Sequence, residues 1–287
     1  MPIRTILVAA SGGGATAGAI DLGCQLAHRF GAHLEGLHVT PDPRAVLAAT
    51  GEGLGGPGAA GLVEAVMADA AAKAAATRGL FDEIVRRHGI AHGNLPQLRG
   101  HGPSAIWREE MGATGALVAG RGRFFDLVVL GRSDRVVREP HTDTIEETLA
   151  RCGRPLVLAP TEPPSGIGYV VAVAWNGSPQ AVRALAAALP FLEQANAVSL
   201  ITVGDGDVGG GSAVDYLAWH GVNAALRQLP PAKGRHLGRI LLEAAREVGA
   251  DLLVMGAYGR APWREQLFGG ATRTALATAP LPLLLMH

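Results

Sequence analysis

The chain has 287 residues, 48% of them hydrophobic and 17% charged, and its 25 basic and 25 acidic side chains give a formal net charge of zero. That much apolar material excludes disorder, and balanced charge without a Lys/Arg run excludes the electrostatic footprint of a nucleic-acid or anionic-membrane binder. No apolar stretch approaches the roughly 20 residues needed to cross a bilayer, Cys24 and Cys152 have no spacing for zinc or a disulfide framework, and Met1-Pro2-Ile3-Arg4 lacks a signal-type leader, so a cytoplasmic location is expected.

Residues 3–11 (IRTILVAAS) read as a strand, followed by Gly12-Gly13-Gly14 and an Ala-rich helix ending near Phe30-Gly31. A strand at 33–40, a Gly/Ala-rich loop at 48–61 and a long helix at about 62–88 come next. Residues 125–131 (FDLVVLG) are a strand, and a helix and a proline-flanked strand at 155–160 close the first half. Thr161-Glu162-Pro163-Pro164-Ser165-Gly166 has the composition of a linker. The pattern then repeats. A strand at 169–175 (YVVAVAW) leads through Asn176-Gly177-Ser178-Pro179 into a helix to about Leu192, and a strand follows at 197–203. A glycine-rich stretch at 204–211 reads as a loop, with a short helical piece near 216–220 and a strand within 223–229. A helix at about 235–248, a strand at 251–256, another helix and a last strand at 281–287 complete the chain.

Continuous Val/Ile/Leu strands alternating with helices imply parallel strands covered on both faces. The expected fold is α/β, with two tandem doubly wound parallel five-stranded sheets carrying helices on both faces, in domains 1–160 and 167–287. Ligands of such sheets bind at the carboxyl ends of strands where the winding reverses. The apolar last strands, 155–160 and 281–287, suit pairing of the halves as a pseudo-twofold unit, and a homodimer is a further possibility.

One constellation stands at such a strand end. Gly256-Ala257-Tyr258-Gly259-Arg260 directly follows Asp251-Leu252-Leu253-Val254-Met255, and nine residues separate Gly259 from Gly269-Gly270-Ala271-Thr272. Glycines permit a sharp exit from the strand and close backbone approach to a ligand. A helix start presents free N–H groups and a positive dipole end, and strand, glycine loop and helix start together make a cradle for phosphate.

These residues resemble the universal stress protein (UspA) family, whose ATP-binding members carry G-x-x-G, nine residues, then Gly and Ser or Thr after the fourth strand. The resemblance covers almost the whole chain as two copies and implies an adenine nucleotide alpha hydrolase-like fold. It also implies ATP, with Mg²⁺, as the ligand of the second half, and a regulatory role read by a protein partner. Gly256, Gly259 and Gly269 match the motif, while Gly270 replaces the Ser/Thr; Thr272 stands near enough to substitute, and Arg260 can reach a phosphate. Asn176 takes the place of the family's strand-one Asp, either as a ligand contact or as a cap or turn former. Val203 matches a base-pocket position or packs in the core. Trp175, Met255 and Ala271 complete the expected site. In the first half Gly131-Arg132-Ser133-Asp134 places an acid on the second glycine, Thr144 replaces the third, and Ser11 replaces the Asp, so this half is expected to be structural or regulatory. A nucleotide-independent interaction protein of the same fold remains the alternative.

No catalytic set accompanies the motif. His220, His236 and His287 are scattered, His101 and His141 fall in expected loops, and no H-E-x-x-H, G-x-S-x-G or Walker lysine occurs. Glu109-Glu110 and Glu146-Glu147 are adjacent carboxylates that do not face one another and read as surface charge. Slow ATP hydrolysis is conceivable; a dedicated enzyme is not expected.

Overall fold

A computed structural model describes residues 2–45, 59–93, 102–132, 140–162, 164–232, 236–257 and 270–287. The first half contains β1 (Thr5–Ala9), α1 (Thr16–Phe30), β2 (His33–Thr40), α2 (Ala59–Arg87), β3 (Ala91–His92), β4 (Ser104–Met111), α3 (Thr114–Gly122), β5 (Leu127–Gly131), α4 (Pro140–Arg151) and β6 (Leu156–Ala159). The second contains β7 (Val170–Ala174), α5 (Pro179–Leu192), β8 (Ala197–Val203), α6 (Gly210–Trp219), β9 (Ala224–Leu229), α7 (Leu237–Glu247), β10 (Leu252–Gly256), α8 (Gly270–Thr278) and β11 (Leu283–Met286).

The α/β class and the predominantly parallel sheet agree with the periodicity, and the structure joins the two expected sheets into one. The strand order is β3-β4-β2-β1-β5-β6-β11-β10-β7-β8-β9. Every neighbouring pair is parallel except β6 and β11, which pair antiparallel with Leu283 opposite Leu158 and Leu285 opposite Leu156. The apolar last strands of the two halves thus cover each other's edges, which removes two exposed strand edges at once.

Strands of alternating apolar side chains create two cores. On one face Val8, Leu34 and Val173 pack with Ile20 and Leu26 of α1, Phe81 of α2, Leu185 and Phe191 of α5 and Leu217 of α6. On the other, Leu7, Val128 and Met255 pack with Val118 of α3, Leu149 of α4, Leu241 of α7 and Ala275 of α8. Across the seam Phe30 meets Phe191 edge to face at 4.9 Å, and the Arg29 guanidinium donates to the carbonyls of Gly168 and Gln194 at 3.0 and 3.2 Å.

Three local expectations are corrected. Gly210 and Gly211 belong to α6, which is longer than the piece expected at 216–220, because burial of Ala213 and Leu217 outweighs the low helix propensity of glycine. His141 lies in α4, not a loop. Glu110 is not simply solvated: it accepts from Arg121, which also clamps the buried Glu35, and Glu109 accepts from the Trp107 indole at 2.7 Å. His101 and the segment 48–58 lie outside the described residues.

Candidate functional site

The winding reverses between β7, which pairs with β8 on one side, and β10 on the other. The turn after β7 is built locally. Asn176 Oδ1 accepts from the Ser178 amide at 3.1 Å, Gly177 adopts φ +69°, and Ser178 Oγ caps α5 by accepting from the Ala181 amide at 3.2 Å. Pro179 occupies the first helical position, where its missing N–H costs nothing. The turn-forming reading of Asn176 is therefore realised, through its oxygen.

Trp175 continues the β7–β8 ladder through its amide, which donates to the Ile201 carbonyl at 2.8 Å. Its indole donates to the Val208 carbonyl at 2.8 Å, pinning the 204–209 loop above the turn. A Cβ on Gly177 would stand 2.8 Å from that same carbonyl oxygen, so the loop closes over Gly177 because a glycine is there. Trp175 packs against the α5/α6 core, whereas Met255 and the half-buried Val203 pack on the α7/α8 side. The structure therefore divides these three expected residues between the two faces of the sheet.

Gly256 ends β10 opposite Met286. A Cβ there would lie 2.7 Å from the Ala181 nitrogen and from the Gln180 carbonyl carbon, so the first turn of α5 rests directly on this glycine. Next to it, the Ala257 amide donates to the Met286 carbonyl at 2.8 Å, and the Ala257 carbonyl lies 3.2 Å from His287 Nδ1. Gly259, Arg260 and Gly269 lie outside the described residues. The chain is described again from Gly270, the first described residue of α8, so Gly270, Ala271 and Thr272 lie in its first described turn. Thr272 is 4% exposed, a buried hydroxyl-bearing side chain in the first described turn of α8. Among the described residues no three His, Cys, Asp or Glu side chains group to hold a metal.

The first half shows the same frame with other contents. Gly12 has φ +80° where Gly177 has +69°, and a Cβ on Gly131 would lie 2.5 Å from the Ala15 carbonyl oxygen, as one on Gly256 meets α5. Above Gly12 stands Thr77 of α2, whose hydroxyl would be 2.9 Å from a Cβ at that position, and the buried His38 bonds the Ala10 carbonyl through Nδ1 at 2.6 Å. Thr144 is buried within α4 rather than placed at a helix start, and Asp134 lies outside the described residues. Sequence reasoning missed Val208, Thr77 and His38 because nothing in their local pattern shows which strand end they will cover.

Residues 232–287 match the sequence model of the universal stress protein family. A universal stress protein from Archaeoglobus fulgidus DSM 4304 is similar over 99% of this chain and 96% of its own, with a TM-score of 0.73 at 13% identity. A putative universal stress protein from Pseudomonas aeruginosa UCBPP-PA14 is similar over 99% of this chain and 93% of its own, with a TM-score of 0.57 at 14% identity. No curated protein matches the chain, and no helix among the described residues is long and apolar enough to cross a membrane. Residues 232–287 thus carry the sequence pattern of the universal stress protein family, and the chain as a whole has the fold of the universal stress proteins it is similar to.

Proposed function

We propose that this is a stress-response protein whose second half binds an adenine nucleotide, ATP with Mg²⁺ being the expected form, and that the bound state is read by another protein. The observation that carries this reading is Thr272, a buried threonine in the first described turn of α8, two residues after the Gly270 that stands in the motif's Ser/Thr position. A phosphate oxygen would accept from the Thr272 hydroxyl and from the amides of a helix start, and the helix dipole favours the same charge. In that role Thr272 supplies the hydroxyl that Gly270 lacks. Asn176 uses its side-chain oxygen for the turn, which leaves its N–H₂ as the group that would donate to adenine or ribose, and Val203 ends the neighbouring strand β8. Gly256, Gly259, Arg260 and Gly269 complete the loop, and Trp175 acts indirectly by holding the 204–209 loop. The residues present support a binder rather than a dedicated enzyme, and the first half is read as its structural or regulatory companion.

A second reading has its own support. The contacts of Gly256 and Gly131 with helix starts explain both glycines as packing, and Asn176 has a local use. Such a protein would act through protein contacts alone. Titration of ATP and Mg²⁺ into the purified chain, with analysis of any nucleotide carried through purification, separates the two. One site per chain with micromolar affinity, about −8 kcal/mol, supports the nucleotide reading. Neither heat nor carried nucleotide sinks it in favour of the second.

A further inference from the structure

β5 and β10 end alike. The Arg132 amide donates to the Ala159 carbonyl at 3.0 Å, and the Ala257 amide to the Met286 carbonyl at 2.8 Å, so Arg132 and Ala257 are counterparts. Cys152 and Ala279 are counterparts too, since their amides close the ends of α4 and α8 onto the carbonyls of Thr148 and Ala275, each at 2.9 Å. The side chains break this symmetry. Arg132 Nη1 donates to the carbonyl oxygen of Ala279, in the other half of the chain. The mirrored contact would run from Ala257 to Cys152, and a methyl group cannot make it. A link through this pair therefore runs one way only, from the first half to the helix that opens with Gly270, Ala271 and Thr272.

We infer that Arg132 is a positioning residue for the nucleotide site of the second half, and that through it the first half sets the affinity of that site; this rests on the nucleotide reading above. α8 has 9 residues, too few to be stable as an isolated helix, and its length of about 13 Å makes it a short rod whose two ends move together. The guanidinium satisfies a carbonyl at the carboxyl end and its charge opposes the negative end of the dipole. Fixing that end fixes the tilt of the other, where Thr272 and the helix-start amides would meet the expected phosphate. Arg132 also follows β5 directly, so the strand end that lacks the nucleotide motif in one half supports the strand end that carries it in the other.

The test uses the full chain and its Arg132→Ala and Arg132→Gln variants, with ATP titration and with hydrogen exchange of residues 274–278 in the absence of nucleotide. Arg132→Ala is expected to weaken ATP binding about tenfold and to speed exchange in α8, with Arg132→Gln between it and the unaltered chain. Equal affinity and equal exchange in all three would overturn the inference and leave the nucleotide reading standing. No ATP bound by the unaltered chain would overturn both. Circular dichroism checks that each variant folds, and Arg132→Lys, which keeps the charge but not the planar fork, serves in place of a variant that does not.

Discussion

A methyl group on Gly131 would meet the Ala15 carbonyl oxygen at 2.5 Å, and one on Gly256 would meet the Ala181 nitrogen at 2.7 Å. Both neighbours are backbone at the start of a helix, which cannot swing aside as a side chain can. Gly131→Ala and Gly256→Ala should each cost about 1–3 kcal/mol through overpacking, read as a lowered urea midpoint without nucleotide. An unchanged midpoint would show that the helices are not seated there. The sequence marks both positions as glycine but not the reason, because the obstructing atoms belong to the far side of a turn. A second residue-scale consequence concerns His33, which is buried and bonded to Ser104 through Nδ1 at 2.8 Å, with Nε2 unpartnered. Burial pushes its pKa below the ordinary histidine value of 6.5, although Glu35 pulls the other way. The unfolded chain therefore takes up this proton first, and the His33 contribution is present above about pH 6.5 and lost as the pH falls below it. Urea midpoints measured from pH 8 to 5 should fall on the acid side, and His33→Gln should flatten part of that fall; parallel profiles would contradict the assignment.

Pairs of elements are held by few polar contacts, so each can be tested singly. Asp21 of α1 accepts from His88 at 2.9 Å, from Arg87 at 3.0 Å and from Gln25 at 2.8 Å, which ties α1 to the end of α2. Burial alone would raise its pKa, and these partners outweigh burial and hold it below 3.8. The 204–209 loop rests on the indole of Trp175, and Trp175→Phe keeps the ring while removing the donor. We expect faster hydrogen exchange at 208–210 and in the first turn of α6 in that variant, with β7 unaffected; unchanged exchange would mean that the loop is held otherwise. Legibility differs among the elements for physical reasons. β1, β5, β7 and β10 are continuous apolar runs buried on both faces and announce themselves. β4 carries Arg108, Glu109 and Glu110, and its strand state comes from pairing with β2 along eight residues rather than from its own pattern. The start of α6 was hidden by glycines for the same reason: packing on β8 and β9 decides it.

The antiparallel contact of β6 with β11 makes one sheet of two repeats, and the Phe30–Phe191 and Arg29 contacts close the helical layer above it. Shared burial across a seam couples unfolding, so calorimetry should show a single transition, and two separated transitions would argue that the halves are independent. The repeat, its strand ends and the apolar last strands are all readable along the chain. The edge-to-edge union and the one-way reach of Arg132 are not, since both depend on the relative placement of distant segments. At this scale the two halves share one frame and differ in what fills it: Thr77 and His38 lie over the first strand end, while the buried Thr272 stands in the first described turn of α8 in the second. The most direct test of the central claim is a paired titration of ATP with Mg²⁺ into the unaltered chain and into Gly259→Asp, which copies Asp134 of the first half into the second. One site per chain in the former, and a loss of at least a hundredfold in a folded Gly259→Asp protein, about 2.7 kcal/mol, is the expected result. Equal binding by both would contradict the site, and binding by neither would contradict the nucleotide.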